Sequence, residues 1–104
     1  MRTEKQRPEV ELNYMKRVGT NDHYFEVWVR SAARPDVKNG TIVDRGIRER
    51  RDIMIAAGAL TEQLMENYGD GGQDPDRCAE TAGRAYDQML MTNPIPRAGD
   101  ERPI

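Results

Sequence analysis

Residues 46–69 read GIRERRDIMIAAGALTEQLMENYG, the one stretch long and apolar enough to found a core. Ile53, Ala56, Ala57, Leu60, Leu64 and Tyr68 recur at steps of three and four, which places them on one face of an α-helix. A second stripe, Ile47, Met54, Gly58 and Met65, runs beside the first. From Ile53 to Leu60 the helix is therefore apolar nearly all round and needs cover on more than one side.

Upstream the period changes from helical to alternating. Val10, Leu12, Tyr14 and Val18 fall on one side of a first strand, with Glu11, Asn13, Met15 and Arg17 on the other. The cluster Gly19, Thr20, Asn21, Asp22 is a turn signal and places His23 in the hairpin loop. Alternation resumes from Tyr24 to Ala33, with Phe25, Val27 and Val29 inward and Tyr24, Glu26, Trp28 and Arg30 outward. The pair reads as a β-hairpin. Pro35 and Asp36 end it, and Asn39-Gly40 then stands between short apolar pieces, the signal for a tight turn. Residues 41–43 are open to two readings: a short third strand, or the start of the helix with Thr41 as N-cap. The second is favoured and starts the helix near Asp44.

Downstream, the helix should run to Tyr68 and stop at Gly69, the residue suited to a left-handed turn after a helix. The loop GDGGQ follows. Asp74 and Pro75 then open a second helix, to about Thr92, with an N-cap carboxylate and a proline in the first helical position. Its inward face is Cys78, Ala79, Ala82, Ala85, Tyr86, Met89 and Leu90, and Asn93-Pro94 ends it. So short a connection implies an antiparallel helix pair, with Leu64 near Cys78, Leu60 near Ala82 and Ile53 near Met89. Gly58 then lies level with Gly83 or Arg84 in a small-residue seam. The expected fold class is α+β: an antiparallel β-hairpin, with three short strands as the variant, followed by an antiparallel two-helix hairpin. Residues 9–93 form the single domain, residues 1–8 a flexible N-terminal arm, and residues 94–104 a disordered C-terminal tail.

Composition limits the function. Lys and Arg number 12 against 9 Asp and Glu in residues 1–52, and 4 against 9 in residues 53–104, for a net charge of -2 overall. The molecule as a whole has no strong pull on nucleic acid or anionic lipid, although its first half is basic. One cysteine excludes an internal disulfide and a cysteine-based zinc site, and suits a reducing compartment. No apolar run approaches the roughly 18 residues of a membrane span, and the first residues lack the apolar stretch of a signal peptide, so a cytoplasmic location is expected.

Catalytic residue types are sparse and scattered. His23, Ser31 and Cys78 are the only residues of their kinds, and none has the motif context of a metal ligand or nucleophile. Asp70, Asp74 and Asp76 lack the alternating ligand pattern of a calcium loop, and helix capping accounts for Asp74 and Asp76. The expectation is a non-enzyme with no cofactor and no metal. Two surfaces remain for partners. The outer strand face carries Met15, Tyr24, Trp28 and Arg30, the aromatic and arginine anchors enriched at protein interfaces. The start of the long helix carries Arg45, Arg48 and Arg51, which suit phosphate contact.

The leading expectation is a small protein that binds and blocks, neutralises or regulates another protein, of the inhibitor, immunity or antagonist type. Its size and makeup are those of many small bacteriophage and mobile-element proteins, with no motif behind that likeness. The alternative is a nucleic-acid-binding regulator using the basic half. A homodimer through Met54, Ile55 and Met65 is expected, because a hairpin and one helix leave part of the long helix uncovered.

Overall fold

The computed structural model describes residues 9–92. The arm at 1–8 and the tail at 94–104 expected from sequence lie outside the described residues. The order is β1 (Val10–Lys16), β2 (His23–Arg30), β3 (Lys38–Asp44), α1 (Glu49–Tyr68) and α2 (Pro75–Thr92), an α+β arrangement. The strands form one antiparallel sheet with β2 in the centre.

Alternation sets the register. Val10 faces Val29, Leu12 faces Val27 and Tyr14 faces Phe25. Phe25, Val27 and Val29 are wholly buried beneath the helices, where they meet Ile53, Ala57, Leu60, Leu64, Cys78, Ala82 and Tyr86 in a single core. Central-strand residues are the best buried because both neighbours and the helix layer shield them. Burial of these apolar side chains is the favourable contribution that joins sheet to helices.

The structure departs from the sequence pattern at several points. Val18, assigned to the inner side of β1, is 99% exposed: β1 ends at Lys16, and the Arg17 N–H bonds to the Asp22 carbonyl at 2.9 Å to close the hairpin. His23 opens β2 instead of lying in the loop, and its ring stacks on Tyr14 with centroids 5.0 Å apart.

Asn39-Gly40 is not a turn. Both residues pair within β3, with Gly40 opposite Trp28 and Asn39 opposite Val29. The reversal occurs earlier, where the Ser31 N–H bonds to the Val37 carbonyl and the Arg34 N–H to Ser31 Oγ. Gly40 serves β3 by being small: a Cβ there would sit 2.5 Å from the Trp28 ring. Residues 38–44 accordingly form a full third strand, and the helix starts at Glu49, not near Asp44. Arg48 holds the N-cap position without a side-chain cap, while Glu49 Oε1 reaches back to accept the Gly46 N–H at 3.1 Å.

The helix pair is antiparallel, but its levels differ from the expected ones. Met54 lies where a Gly83 Cβ would be, Arg50 meets Asp87, and the Pro75 carbonyl is the group nearest Gly58. Gly58 and Gly83 therefore do not share a seam. Tyr68 is also outside the core, with Arg34 lying over its ring at 5.8 Å.

The α1–α2 connection accounts for the shift in level. Instead of closing tightly, it docks on residues 30–33. Gln73 Oε1 accepts the Ala32 N–H at 3.1 Å, and Gln73 Nε2 donates to the Arg30 carbonyl at 2.8 Å. Asp74 then caps α2 as expected, accepting the Asp76 N–H at 3.0 Å.

Candidate functional site

Both helices pack on one side of the sheet, which leaves the other as a candidate surface. Strand alternation delivers Tyr24, Glu26, Trp28 and Arg30 to it from β2. The register sets Met15 and Asp44 beside Tyr24, Asn13 and Ile42 beside Glu26, and Glu11 and Gly40 beside Trp28.

The aromatic rings on this face each have cationic and hydrogen-bonding neighbours. Trp28 lies over the gap at Gly40, Lys38 Nζ sits 4.9 Å from its ring centroid, and its indole N–H points to Glu26 Oε1 at 3.3 Å. Tyr24 is covered by the Arg17 guanidinium at 4.6 Å, and that same group bonds to Asp22 and Asp44 at 2.6 and 2.8 Å. A cation over an aromatic face contributes on the order of 0.5–1 kcal/mol at exposed sites. Arg30 donates to the Pro35 carbonyl at 2.7 Å and so belongs to the rim near the β2–β3 turn.

Ile42, 52% exposed, is a member of this face that sequence reasoning missed. Reading residues 41–43 as the start of a helix hid it. Strand alternation on either side of Val43 would have found it.

No protein-family model, curated protein or solved structure matches the chain.

The arginines of the long-helix start are divided by the structure. Arg45 is turned inward, its side chain 7% exposed and its Nε 4.0 Å from Glu49 Oε1. Arg50 grips Asp87 through two hydrogen bonds of 2.9 and 2.8 Å, which hold the Asp87 carboxyl below the usual carboxylate range. Arg34 is paired with Asp36. Arg48 and Arg51 remain exposed. A surface of Arg45, Arg48 and Arg51 together is therefore not formed.

The structure does not bring Met54, Ile55 and Met65 together: Met54 is turned against Gly83 of α2, and Met65 lies about three turns further along α1. Ile55 is 57% exposed, while Met54 and Met65 are half-buried. Met54 and Ile55 line a shallow groove of about 820 Å³ between α1 and α2, with Gly58, Ala59 and Ala79 on its apolar floor and walls.

The three single-copy reactive residue types are each placed in structural surroundings. Ser31 is buried with Oγ accepting the Arg34 N–H. Among the described residues no three His, Cys, Asp or Glu side chains converge to hold a metal ion, and no helix is long and apolar enough to cross a membrane. Cys78 is wholly buried, and burial pushes its thiol up, with Glu9 Oε1 3.6 Å away adding to the rise. Since the thiolate is the reactive form, Cys78 in the folded protein should react with a disulfide reagent at pH 8 on the order of 100-fold slower than in denaturant. Equal rates in the two states would show that Cys78 is accessible.

Proposed function

We propose that this is a non-catalytic protein that works by binding a second protein on the outer face of its sheet, as an inhibitor, immunity protein or antagonist does. The observation that carries this reading is the pre-set pair Trp28 and Tyr24, each held under a cation, with Met15 and exposed Ile42 beside them. Rigid aromatic anchors lose little freedom on binding, and a rim of Glu11, Glu26, Lys38 and Arg30 supplies the polar border of a typical interface. The placements of Ser31 and Cys78 favour a binding role over a catalytic one.

Nucleic-acid binding draws less support, because the carboxylates of Asp22, Asp44, Asp36, Glu49 and Asp87 face four of the arginines of the basic half, Arg17, Arg34, Arg45 and Arg50. Neutralised arginines release few counterions from a phosphate backbone.

Affinity capture from the source cells, followed by titration of the purified partner, tests the proposal. A protein retained after nuclease treatment and lost from both Trp28→Ala and Ile42→Glu supports it. Trp28→Ala should weaken that complex by about 30-fold, the equivalent of ~2 kcal/mol for an anchor residue. Because Trp28 lies outside the core, circular dichroism should be unchanged. Capture that is indifferent to both substitutions, or that disappears with nuclease, overturns the proposal.

A further inference from the structure

The outer side of α1 carries a stripe with helical heptad spacing: Arg48, Arg51, Ile55, Gly58, Glu62 and Met65. Arg48, Arg51, Ile55 and Glu62 are exposed, and Gly58 and Met65 are half-buried. The stripe is basic at its start, apolar in the middle and acidic towards its end. Asp76 of α2 adds to the acidic end, since the start of α2 lies against Gly58.

Such a stripe is complementary to itself when reversed. Pairing Ile55 with Gly58 of an antiparallel copy also pairs Arg51 with Glu62, and lays the Arg48 stem along Met65, so that one register joins the apolar centre and the opposite charges. Gly58 presents no side chain, which leaves a hollow for an opposing isoleucine, as a knob enters a hole in packed helices. Among the described residues neither Arg51 nor Glu62 has an ion-pair partner within the chain, unlike neighbouring Arg50. We propose that two copies of this chain pair antiparallel through α1, about a two-fold axis between Ile55 and Gly58, with Arg51 of each copy facing the partner's Glu62.

The same patch on both copies, related by a two-fold axis, is the commonest form of soluble homo-oligomer. The stripe spans roughly 26 Å of helix at 1.5 Å per residue, and the shallow groove beside it receives the flanks of the partner's helix. This surface lies on the opposite side of the molecule from the sheet face, so a dimer would display two sheet faces outward.

Charge exchange on the full chain tests the register. Wild type should sediment as a dimer at ~100 μM. Arg51→Glu alone and Glu62→Arg alone each set like charges opposite one another twice per dimer and should weaken association by at least about 10-fold. The double variant R51E/E62R restores the complementarity and should return to within about threefold of wild type. A second measurement does not depend on affinity: mixed Arg51→Cys and Glu62→Cys copies should form a disulfide-linked heterodimer on mild oxidation. Arg51→Cys copies alone should not, because the two position-51 residues would be about 16 Å apart, well beyond disulfide reach. A monomeric wild type, single exchanges without effect, a double variant without rescue, or cross-linking of Arg51→Cys to itself would each overturn the proposal.

Discussion

Replacing Glu49 by alanine should destabilise the protein by about 3–5 kcal/mol, the range for breaking a buried ion pair from one side. Glu49 is 4% exposed and joins three elements. Its Oε2 accepts the Tyr86 hydroxyl of α2 at 2.7 Å, its Oε1 accepts the Gly46 N–H of the β3–α1 connection at 3.1 Å, and Arg45 Nε stands 4.0 Å away. Without the carboxylate, the Arg45 guanidinium, 7% exposed, loses the facing charge of Glu49, and the Tyr86 hydroxyl loses its 2.7 Å bond to α1. A domain of this size is stable by on the order of 5–15 kcal/mol, so the loss takes a large share of the whole.

Tyr86→Phe removes only one donor and should cost about 1–3 kcal/mol, and the two changes together should cost clearly less than their sum, because both remove the same hydrogen bond. Urea unfolding measures all three. A cost below about 1 kcal/mol for Glu49→Ala would mean that water or a shifted side chain replaces the carboxylate. The cluster also ties the β3–α1 connection to α2, through the Gly46 N–H and the Tyr86 hydroxyl on one carboxylate.

Sequence alone made β2 and both helices legible because their signals are local. Period two over Phe25, Val27 and Val29, period 3.6 over Ile53 to Leu64, and the Asp74-Pro75 start each depend on neighbours in the chain. What sequence hid depends on residues far apart. Asn39-Gly40 carries a strong turn signal, but both residues pair with β2, and the indole of Trp28, twelve residues before Gly40, occupies the space above it. Glu49 sits in a run of arginines and reads as one more solvated charge, although Tyr86 and Arg45 enclose it.

The helix levels depend on a distant contact as well. The loop after Tyr68 is committed to residues 30–33 through Gln73, a contact between distant segments, and α2 meets α1 with Asp87 beside Arg50 and Gly83 beside Met54. On the candidate surfaces, Trp28 and Tyr24 followed from strand period. Ile42, and the self-complementary order of charges on α1, needed the correct start of the helix.

Gly71→Ala should cost about 2–4 kcal/mol, and Gly72→Ala, one residue along, only about 1–2 kcal/mol. Both glycines have positive φ, +56° and +80°, so alanine pays the left-handed penalty at either position. Their surroundings differ. A Cβ on Gly71 would fall 2.6 Å from the Ala33 nitrogen and 2.8 Å from its Cα, whereas nothing lies within 4 Å of a Cβ on Gly72. Backbone cannot swing aside as a long side chain can, so relief of the Gly71 clash requires the loop to lift away from residues 32–33. Lifting it stretches the two Gln73 hydrogen bonds to Ala32 and Arg30. Amide exchange should therefore rise at Ala32 and across residues 69–74 in Gly71→Ala but stay near wild type in Gly72→Ala. Arg30 lies at the end of the strand that presents Trp28, so the same variant should also loosen that end of the sheet face. Equal costs for the two alanines, with unchanged exchange at Ala32, would mean that the loop rests on the sheet without being held by it.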